Sequence, residues 1–407
     1  MRQILHLLVI DRSRGAALAG HVASRWLLPA MTCTERIRAA QVVVRWCEEQ
    51  RIHGDVAGQW LGRVTEQSTD WLVAIVGSAP FRVPDKTLEW IPLRALATSD
   101  AVVEYQQWAL RTAVNGAAEP CVRGPFGNLS WPATVRAWIT AATRCEPSAI
   151  TPYRVSPHEV VLGVDCACGR VYFKGLVGER TVEPILTQAL ARIAPDSFAQ
   201  TLACERREDG SVWWLMTACP GVPAEAEDAQ RAARALATIQ QQVIEAGIEA
   251  FPLPRIDFAS AREWAITLLG PAASRLVTDA CAHATSTELP HSWIPMDLDP
   301  TNVLIDEHGG VRFIDIDDSF VGPAPLAMAS FAARCGDRAA YAIYEQAWAP
   351  SRERIDWQRL EVAAAVFQAW LGWNRLQRNV GHGDVHAALD RVEVHIRERL
   401  ASSIYRR

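Results

Sequence analysis

The chain has 407 residues, of which 49% are hydrophobic and 21% are charged, and its formal net charge is −5. These values are ordinary for a folded globular protein, and the length predicts two or three domains of about 150 residues each. No long block of like charge occurs, so the sequence gives no indication of a nucleic-acid-binding surface.

The sequence also gives an expectation about location. The apolar run at residues 4–10 is short for a signal peptide and is not followed by a small-residue cleavage site. No stretch of about 18 apolar residues occurs, so we expect no membrane span. The ten cysteines are scattered along the chain, which predicts free, mostly buried thiols in a reducing compartment. We therefore expect a cytoplasmic protein of unknown oligomeric state.

Residues 1–110 mix short apolar segments with one helical stretch. The pattern predicts strands at residues 5–10, 71–76 and 88–93, and a helix near residues 37–50. We therefore predict an N-terminal α/β domain.

A pair of acidic residues, Glu48 and Glu49, lies near the end of that predicted helix. The layout weakly resembles a Nudix domain, in which paired glutamates bind metal. Val44-Arg45 stands where that family has Arg-Glu, so the resemblance implies a degenerate, non-hydrolytic copy. A solvated helix end is the alternative, and we assign no catalysis to this segment.

The next two segments differ in composition. Residues 111–150 carry Gly, Pro and Trp around one predicted helix and are interpreted as a connector. Residues 151–221 are predicted to form a β-rich segment that ends at Cys219-Pro220-Gly221, with Thr181 as the N-cap of its helix. The predicted elements are a connector helix at 133–143, strands at 159–166 and 170–176, a helix at 182–193, and strands at 199–205 and 212–217.

Residues 222–407 are predicted to be mostly helical, with polar loops and a β-hairpin between the helices. Trp370 and Trp373 lie in this segment, where either core packing or stacking on a ring substrate could explain them. The predicted helices span residues 224–246, 259–269, 272–285, 339–348 and, with interruptions, 359–400.

Lysine is rare in this chain, which carries its positive charge almost entirely on arginine. Lys174 is one of two lysines and lies in the β-prone run Val171-Tyr172-Phe173-Lys174-Gly175-Leu176. A lysine ammonium is a compact point charge, whereas the arginine guanidinium is a broad fork. The sequence therefore indicates a site at Lys174 that needs an ammonium.

Two acidic motifs follow downstream. The first is Asp297-Leu298-Asp299-Pro300-Thr301-Asn302, and the second is the apolar strand Phe313-Ile314-Asp315-Ile316-Asp317. The carbonyl oxygen of Asn302 and the carboxylate of Asp315 are hard ligands suited to Mg²⁺. A predicted hairpin, with strands at 303–306 and 311–316, would bring Asp315 back beside Asn302. A strand lysine followed by these motifs predicts phosphoryl transfer from Mg-ATP.

In these motifs, residues from about 150 to 407 resemble the superfamily of aminoglycoside phosphotransferases and choline kinases. Its members carry His-Gly-Asp-x4-Asn and then Ile-Asp-x-Asp/Glu. The resemblance implies an α+β, two-lobed protein kinase-like fold, with a β-rich small lobe at 151–221 and a helical lobe at 222–407. It implies Asp297 as the base or orienter of the attacking hydroxyl, and Asn302 and Asp315 as Mg²⁺ ligands.

The resemblance also implies how the nucleotide is held. Lys174 would hold α- and β-phosphate oxygens of ATP and would in turn be held by a helix glutamate. Glu183 is the predicted partner, with Glu179 as the alternative. The acceptor would be a hydroxyl of a small molecule.

The chain departs from the family pattern at several positions. Pro295 and Met296 replace the His and Gly before the catalytic Asp, and Asp299 replaces a second His, as either an extra metal ligand or a surface charge. Ala327 replaces a later Asp. These departures motivate an alternative function, a nucleotide-binding or structural pseudokinase that acts as an interaction module.

A second stretch, His382-Gly383-Asp384-Val385-His386, matches the catalytic motif more closely by letter. Leu389 occupies its Asn position, and no apolar strand ending in Asp follows it. We therefore predict a loop between helices there.

Overall fold

The computed structural model divides into two compact units. The first unit comprises Met1–Gly178 and Thr201–Ala218, and the second comprises Glu179–Gln200 and Cys219–Arg407. The structure describes residues 2–11, 16–22, 25–33, 39–49, 55–64, 68–77, 88–97, 125–127, 131–156, 159–335, 337, 339–349 and 354–379.

A seven-stranded sheet forms the N-terminal part of the first unit. Its central strand, β1 (Arg2–Asp11), pairs in parallel with β6 (Ser68–Gly77). It pairs antiparallel with β2 (Ala16–Val22) and β4 (Ala30–Cys33). Leu7, Leu8 and Val9 are all buried, so both faces of β1 are covered, as its continuous apolar sequence predicts. The elements are β1 (Arg2–Asp11), β2 (Ala16–Val22), β3 (Arg25–Leu27), β4 (Ala30–Cys33), α1 (Ala39–Glu49), β5 (Asp55–Val64), β6 (Ser68–Gly77), β7 (Leu88–Pro92) and α2 (Leu93–Ala97).

The strands predicted at 5–10 and 71–76 lie inside β1 and β6, and the predicted helix coincides with α1. Glu48 and Glu49 are both exposed at the end of α1. This placement is that of a solvated helix end.

A five-stranded antiparallel sheet forms the rest of the first unit, in the order β11-β12-β10-β9-β8. Trp138 of α3 packs edge-on against Phe173 and Trp213 of the sheet, which fixes the helix on that face. The strands predicted at 159–166 and 170–176 pair as β9 and β10, and those predicted at 199–205 and 212–217 pair as β11 and β12. The elements are α3 (Trp131–Thr143), β8 (Ala149–Val155), β9 (Glu159–Cys166), β10 (Gly169–Leu176), β11 (Thr201–Arg206) and β12 (Val212–Thr217).

Gly175 lies in the interior of β10, where a glycine usually marks a close approach. A Cβ atom at this position would overlap the ring of Phe126, which is itself buried. We expect Gly175→Ala to lower the free energy of unfolding by about 1–3 kcal/mol, because an added methyl overpacks the site. Chemical denaturation measures this change.

The double mutant supplies the control for that prediction. In a Phe126→Ala background the ring is absent, so Gly175→Ala should cost less than it does in the wild type. Equal costs in the two backgrounds would show that Phe126 is not the obstacle.

The second unit is built on one apolar core that includes residues of every long helix. Helix α4 (Glu183–Ile193) opens it, and α5 (Ala229–Ala246), α6 (Phe258–Leu269), α7 (Pro271–Ala284), α8 (Pro325–Cys335), α9 (Ala339–Ala347) and α10 (Trp357–Asn379) follow. Its strands are β13 (Val222–Pro223), β14 (His291–Pro295), β15 (Val303–Ile305), β16 (Val311–Phe313) and β17 (Ser319–Pro323).

The predicted fold class is confirmed, since the chain is α+β, with an antiparallel β-rich segment followed by a helical one. One capping prediction is wrong. Residues 178–182 form a 3₁₀ turn, so Val182 rather than Thr181 precedes α4, and Val182 has no capping side chain. The helix predicted for 359–400 is observed as α10, and its predicted part beyond residue 379 lies outside the described residues, as do residues 382–386.

Two further expectations concern cysteines and membranes. The described cysteines are all free, but Cys47 and Cys281 are the buried ones, whereas Cys168 and Cys204 are exposed; the expectation of mostly buried thiols is wrong. Within the described part of the chain, no helix combines the length and the hydrophobicity that a membrane crossing requires.

Candidate active site

Two short antiparallel strand pairs frame the predicted catalytic residues. Strand β14 pairs with β17, and β15 pairs with β16. Asp297 lies two residues after the end of β14, and Asp315 lies between β16 and β17. The two loops that carry the predicted site therefore begin and end in strands that are paired with each other.

Asp297 and Asn302 are joined by a side-chain hydrogen bond. The Asn302 Nδ2 atom donates to the backbone carbonyl oxygen of Asp297 at 3.0 Å. Only the NH₂ end of an amide can donate to a carbonyl, so this bond fixes the orientation of the Asn302 side chain. The Oδ1 atom of Asn302 is then the atom that can bind a cation. The Asp297 side chain is exposed, as a group that meets a substrate must be.

Asp299 caps the turn between these two residues. Its Oδ1 atom accepts hydrogen bonds from the Thr301 backbone N–H at 3.0 Å and from the Thr301 hydroxyl at 2.8 Å. The turn at Pro300–Asn302 is a short 3₁₀ helix, and Asp is a favoured residue at a helix N-cap. The sequence left open whether Asp299 is a metal ligand or a surface charge, and the structure shows that it caps the turn.

Asp315 has a left-handed backbone conformation with a φ of 56°. Such a conformation is costly for a residue other than glycine, by about 1–2 kcal/mol, and Asp tolerates it better than most. The strand predicted at 311–316 is therefore wrong at its end, because β16 stops at Phe313. Backbone bonding extends one residue further, since Ile314 N–H donates to the Asn302 carbonyl at 3.0 Å.

Asp317 forms an ion pair with Arg180, at 3.3 Å between Asp317 Oδ2 and Arg180 Nε. The Asp317 side chain is only 7% exposed, so this pair is mostly shielded from solvent. The sequence reasoning missed Arg180, which looks like any other arginine of the chain. The second carboxylate of the Asp315-Ile316-Asp317 motif is thus engaged by a cation of the protein.

The remaining predicted site residues are buried. Lys174 lies in β10, the central strand of its sheet, and its backbone pairs with Val161 and Trp214. It is 8% exposed, while Glu183, the first residue of α4, is 2% exposed. Glu179 is exposed in the preceding turn. Burial therefore sets Glu183 apart from the alternative, although its partnership with Lys174 stays a prediction.

Trp370 is partly buried against the helical core, and its ring contacts Phe367 at 5.5 Å between centroids. Trp373 is half-buried on the same helix. Packing against the core thus accounts for Trp370 without a substrate.

The donor set fits Mg²⁺ in kind. In the described residues no group of three or more His, Cys, Asp or Glu side chains is placed to hold a metal ion. Mg²⁺ usually takes one or two carboxylates and completes its shell with water and substrate phosphates. The oriented amide oxygen of Asn302 and the carboxylate of Asp315 are oxygen donors of this kind.

Comparison with known proteins gives similarity in fold. No protein family model matches the sequence, and no curated protein matches it. Solved aminoglycoside phosphotransferases and choline kinases are similar in fold to the chain. The TM-scores of these structures are under 0.5, so the similarity carries no functional argument.

Three of these solved structures illustrate the range. The GDP complex of an aminoglycoside 2′-phosphotransferase of type IIIa has a TM-score of 0.49 at 14% identity, covering 67% of this chain and 96% of that one. Choline kinase LicA from Streptococcus pneumoniae has a TM-score of 0.49 at 9% identity, and the match covers 67% of this chain and 98% of that one. Macrolide 2′-phosphotransferase MphH from Brachybacterium faecium has a TM-score of 0.43 at 16% identity, and the match covers 68% of this chain and 99% of that one.

Proposed function

We propose that this protein is a phosphotransferase that moves the γ-phosphate of ATP to a hydroxyl group of a small molecule. The observation that carries the proposal is the linked pair of loops. One loop presents an exposed carboxylate at Asp297 and an oriented amide at Asn302, and a backbone bond ties it to the loop of Asp315. Phosphoryl transfer depends mainly on such positioning and on charge stabilisation.

Each residue has a definite part in the proposed reaction. Asp297 orients the attacking hydroxyl of the acceptor and takes its proton. Asn302 and Asp315 are the protein ligands of Mg²⁺, which when bound neutralises charge on the phosphates. Lys174 is proposed to hold the α- and β-phosphates, and Glu183 is proposed to hold Lys174 in turn. The small-molecule acceptor follows from the sequence resemblance.

A carboxylate substitution at the metal ligand tests this proposal. Asp315→Asn keeps the size of the side chain, and Asn also tolerates a left-handed backbone, so the fold should be retained. We expect ATP with Mg²⁺ to raise the melting temperature of the wild type, since a ligand at about 100 times its Kd adds about 2.7 kcal/mol. Asp315→Asn should lose this shift, as thermal unfolding with and without Mg²⁺ measures.

Asp299→Asn is the matched control. It removes a neighbouring carboxylate, but Asn caps a turn as well as Asp does, so the Mg²⁺-dependent shift should remain. Absence of any shift in the wild type would count against the proposed function. Loss of the shift in Asp299→Asn would show that Asp299 is a ligand as well as a cap.

A further inference from the structure

A buried hydrogen-bond relay ends at the loop that carries Asp315. The indole Nε1–H of Trp293, on β14, donates to the Ser319 hydroxyl oxygen at 2.9 Å. The Ser319 hydroxyl in turn donates to the backbone carbonyl of Ile316 at 2.7 Å. Trp293 is 0% exposed and Ser319 is 2% exposed, so water does not compete for these bonds.

The relay anchors the C-terminal half of the Asp315 loop, and a backbone bond anchors its N-terminal half. On the N-terminal side of Asp315, the Ile314 N–H is bonded to the Asn302 carbonyl. On its C-terminal side, the Ile316 carbonyl is bonded to Ser319. Asp315 therefore lies between two anchored peptide groups. These two anchors help to hold Asp315 in its left-handed conformation, which persists where the surrounding structure over-determines it.

We propose that Trp293 and Ser319 are positioning residues that hold the Asp315 carboxylate where it binds Mg²⁺. This inference rests on the proposed function, because it assigns Asp315 as the ligand. Pro295, at the end of β14, cannot anchor the Asp315 loop through its side chain, because proline has no side-chain hydrogen-bond donor. Trp293, two residues earlier on the same strand, supplies the donor instead.

The same strand offers a matched control in Ser292. This hydroxyl is also fully buried, and it donates to the backbone carbonyl of Gln240 at 2.7 Å. Ser292→Ala and Ser319→Ala each remove one buried hydroxyl that donates to one backbone carbonyl, and Ser319→Ala also removes the acceptor of the Trp293 Nε1–H. Only Ser319 is bonded to the loop of Asp315, so a difference between the two variants isolates the positioning effect.

The test titrates MgCl₂ at saturating ATP and follows the melting temperature of the full chain. We expect Ser319→Ala to raise the Mg²⁺ midpoint about five- to tenfold, on the scale of one or two lost hydrogen bonds. Trp293→Phe keeps the ring packing and the bond from Ser319 to Ile316, and should raise the midpoint about two- to fivefold. Ser292→Ala should leave the midpoint at the wild-type value, even if it lowers stability as much.

A second readout does not depend on nucleotide. Hydrogen exchange of the peptide that covers residues 312–320 should be faster in Ser319→Ala than in Ser292→Ala. If Ser319→Ala is too unstable to titrate, the exchange rate of this peptide in Trp293→Phe can be compared with that in Ser292→Ala instead.

The outcomes separate the two levels of the argument. A wild type without any Mg²⁺-dependent shift overturns the proposed function and this inference with it. A wild type with the shift, combined with equal midpoints for Ser319→Ala and Ser292→Ala, overturns the inference alone. Unchanged exchange of the loop peptide in both Ser319→Ala and Trp293→Phe would also overturn it.

Discussion

Asp297→Ala is expected to lower turnover by about 10²- to 10⁴-fold, the usual contribution of a positioned general base. The binding of Mg-ATP should remain close to that of the wild type. The reason is that the hydrogen bond from Asn302 goes to the backbone carbonyl of Asp297 and not to its carboxylate. Truncating the side chain therefore leaves the amide orientation in place. The side chain is exposed, so stability should change by less than about 0.5 kcal/mol.

The measurement is ADP release with a panel of small hydroxyl compounds, alongside the thermal shift with Mg-ATP. Glu307→Ala is the control, because it removes an exposed carboxylate from the turn between β15 and β16. Turnover in Asp297→Ala equal to that of Glu307→Ala would remove Asp297 from the reaction. Binding of Mg-ATP without turnover by the wild type on any acceptor would favour the alternative, a nucleotide-binding pseudokinase.

The strands around Lys174 could be predicted from the sequence because local sequence signals mark where each strand begins and ends. Strand β9 and strand β12 have the predicted ends, and the turn between β9 and β10 leads directly into Gly169, the first residue of β10. Gly169 has a φ of 108°, a conformation that glycine adopts most easily. The grouping of Asp297 with Asn302 was likewise predicted, since both lie on one short loop and the structure bonds them.

Helix α8 was not predicted, because its sequence lacks a polar face. Its residues 325–332 are all buried, so polar and apolar positions do not alternate with the helical period. Strands β14 and β17 are also mostly buried and short, and such apolar runs do not distinguish a strand from a helix.

Two features of the site itself depend on tertiary contacts. The run Phe313-Ile314-Asp315-Ile316 is mostly apolar, which predicts a buried strand through Asp315. The left-handed backbone of Asp315 overrides that pattern. The ion pair of Asp317 joins residues far apart in sequence, and nothing local distinguishes Arg180 from the other arginines.

Gln240→Leu is expected to produce the largest loss of stability, about 3 kcal/mol or more. The Gln240 side chain is fully buried and donates from Nε2 to the carbonyls of Trp293, at 2.8 Å, and Ala324, at 3.1 Å. Its Oε1 atom accepts a hydrogen bond from the Tyr344 hydroxyl. Burial raises the pKa of Tyr344, so this hydroxyl stays a donor. Leucine nearly fills the same volume but leaves these buried polar groups without Gln240, which costs more than the bonds themselves contribute.

Gln241→Leu is the matched control, because the neighbouring side chain makes a single bond, from Nε2 to the Ala347 carbonyl at 2.6 Å, and is only half-buried. Its cost should be about 1 kcal/mol. Urea denaturation of both variants measures the difference, and similar midpoints would contradict the prediction. Because Gln240 bonds to the carbonyl of Trp293, the same variant should also weaken the Mg²⁺-dependent shift if β14 positions the loop of Asp315. A large loss of stability with an unchanged Mg²⁺ midpoint would place Gln240 in the core alone and confine the positioning role to Trp293 and Ser319.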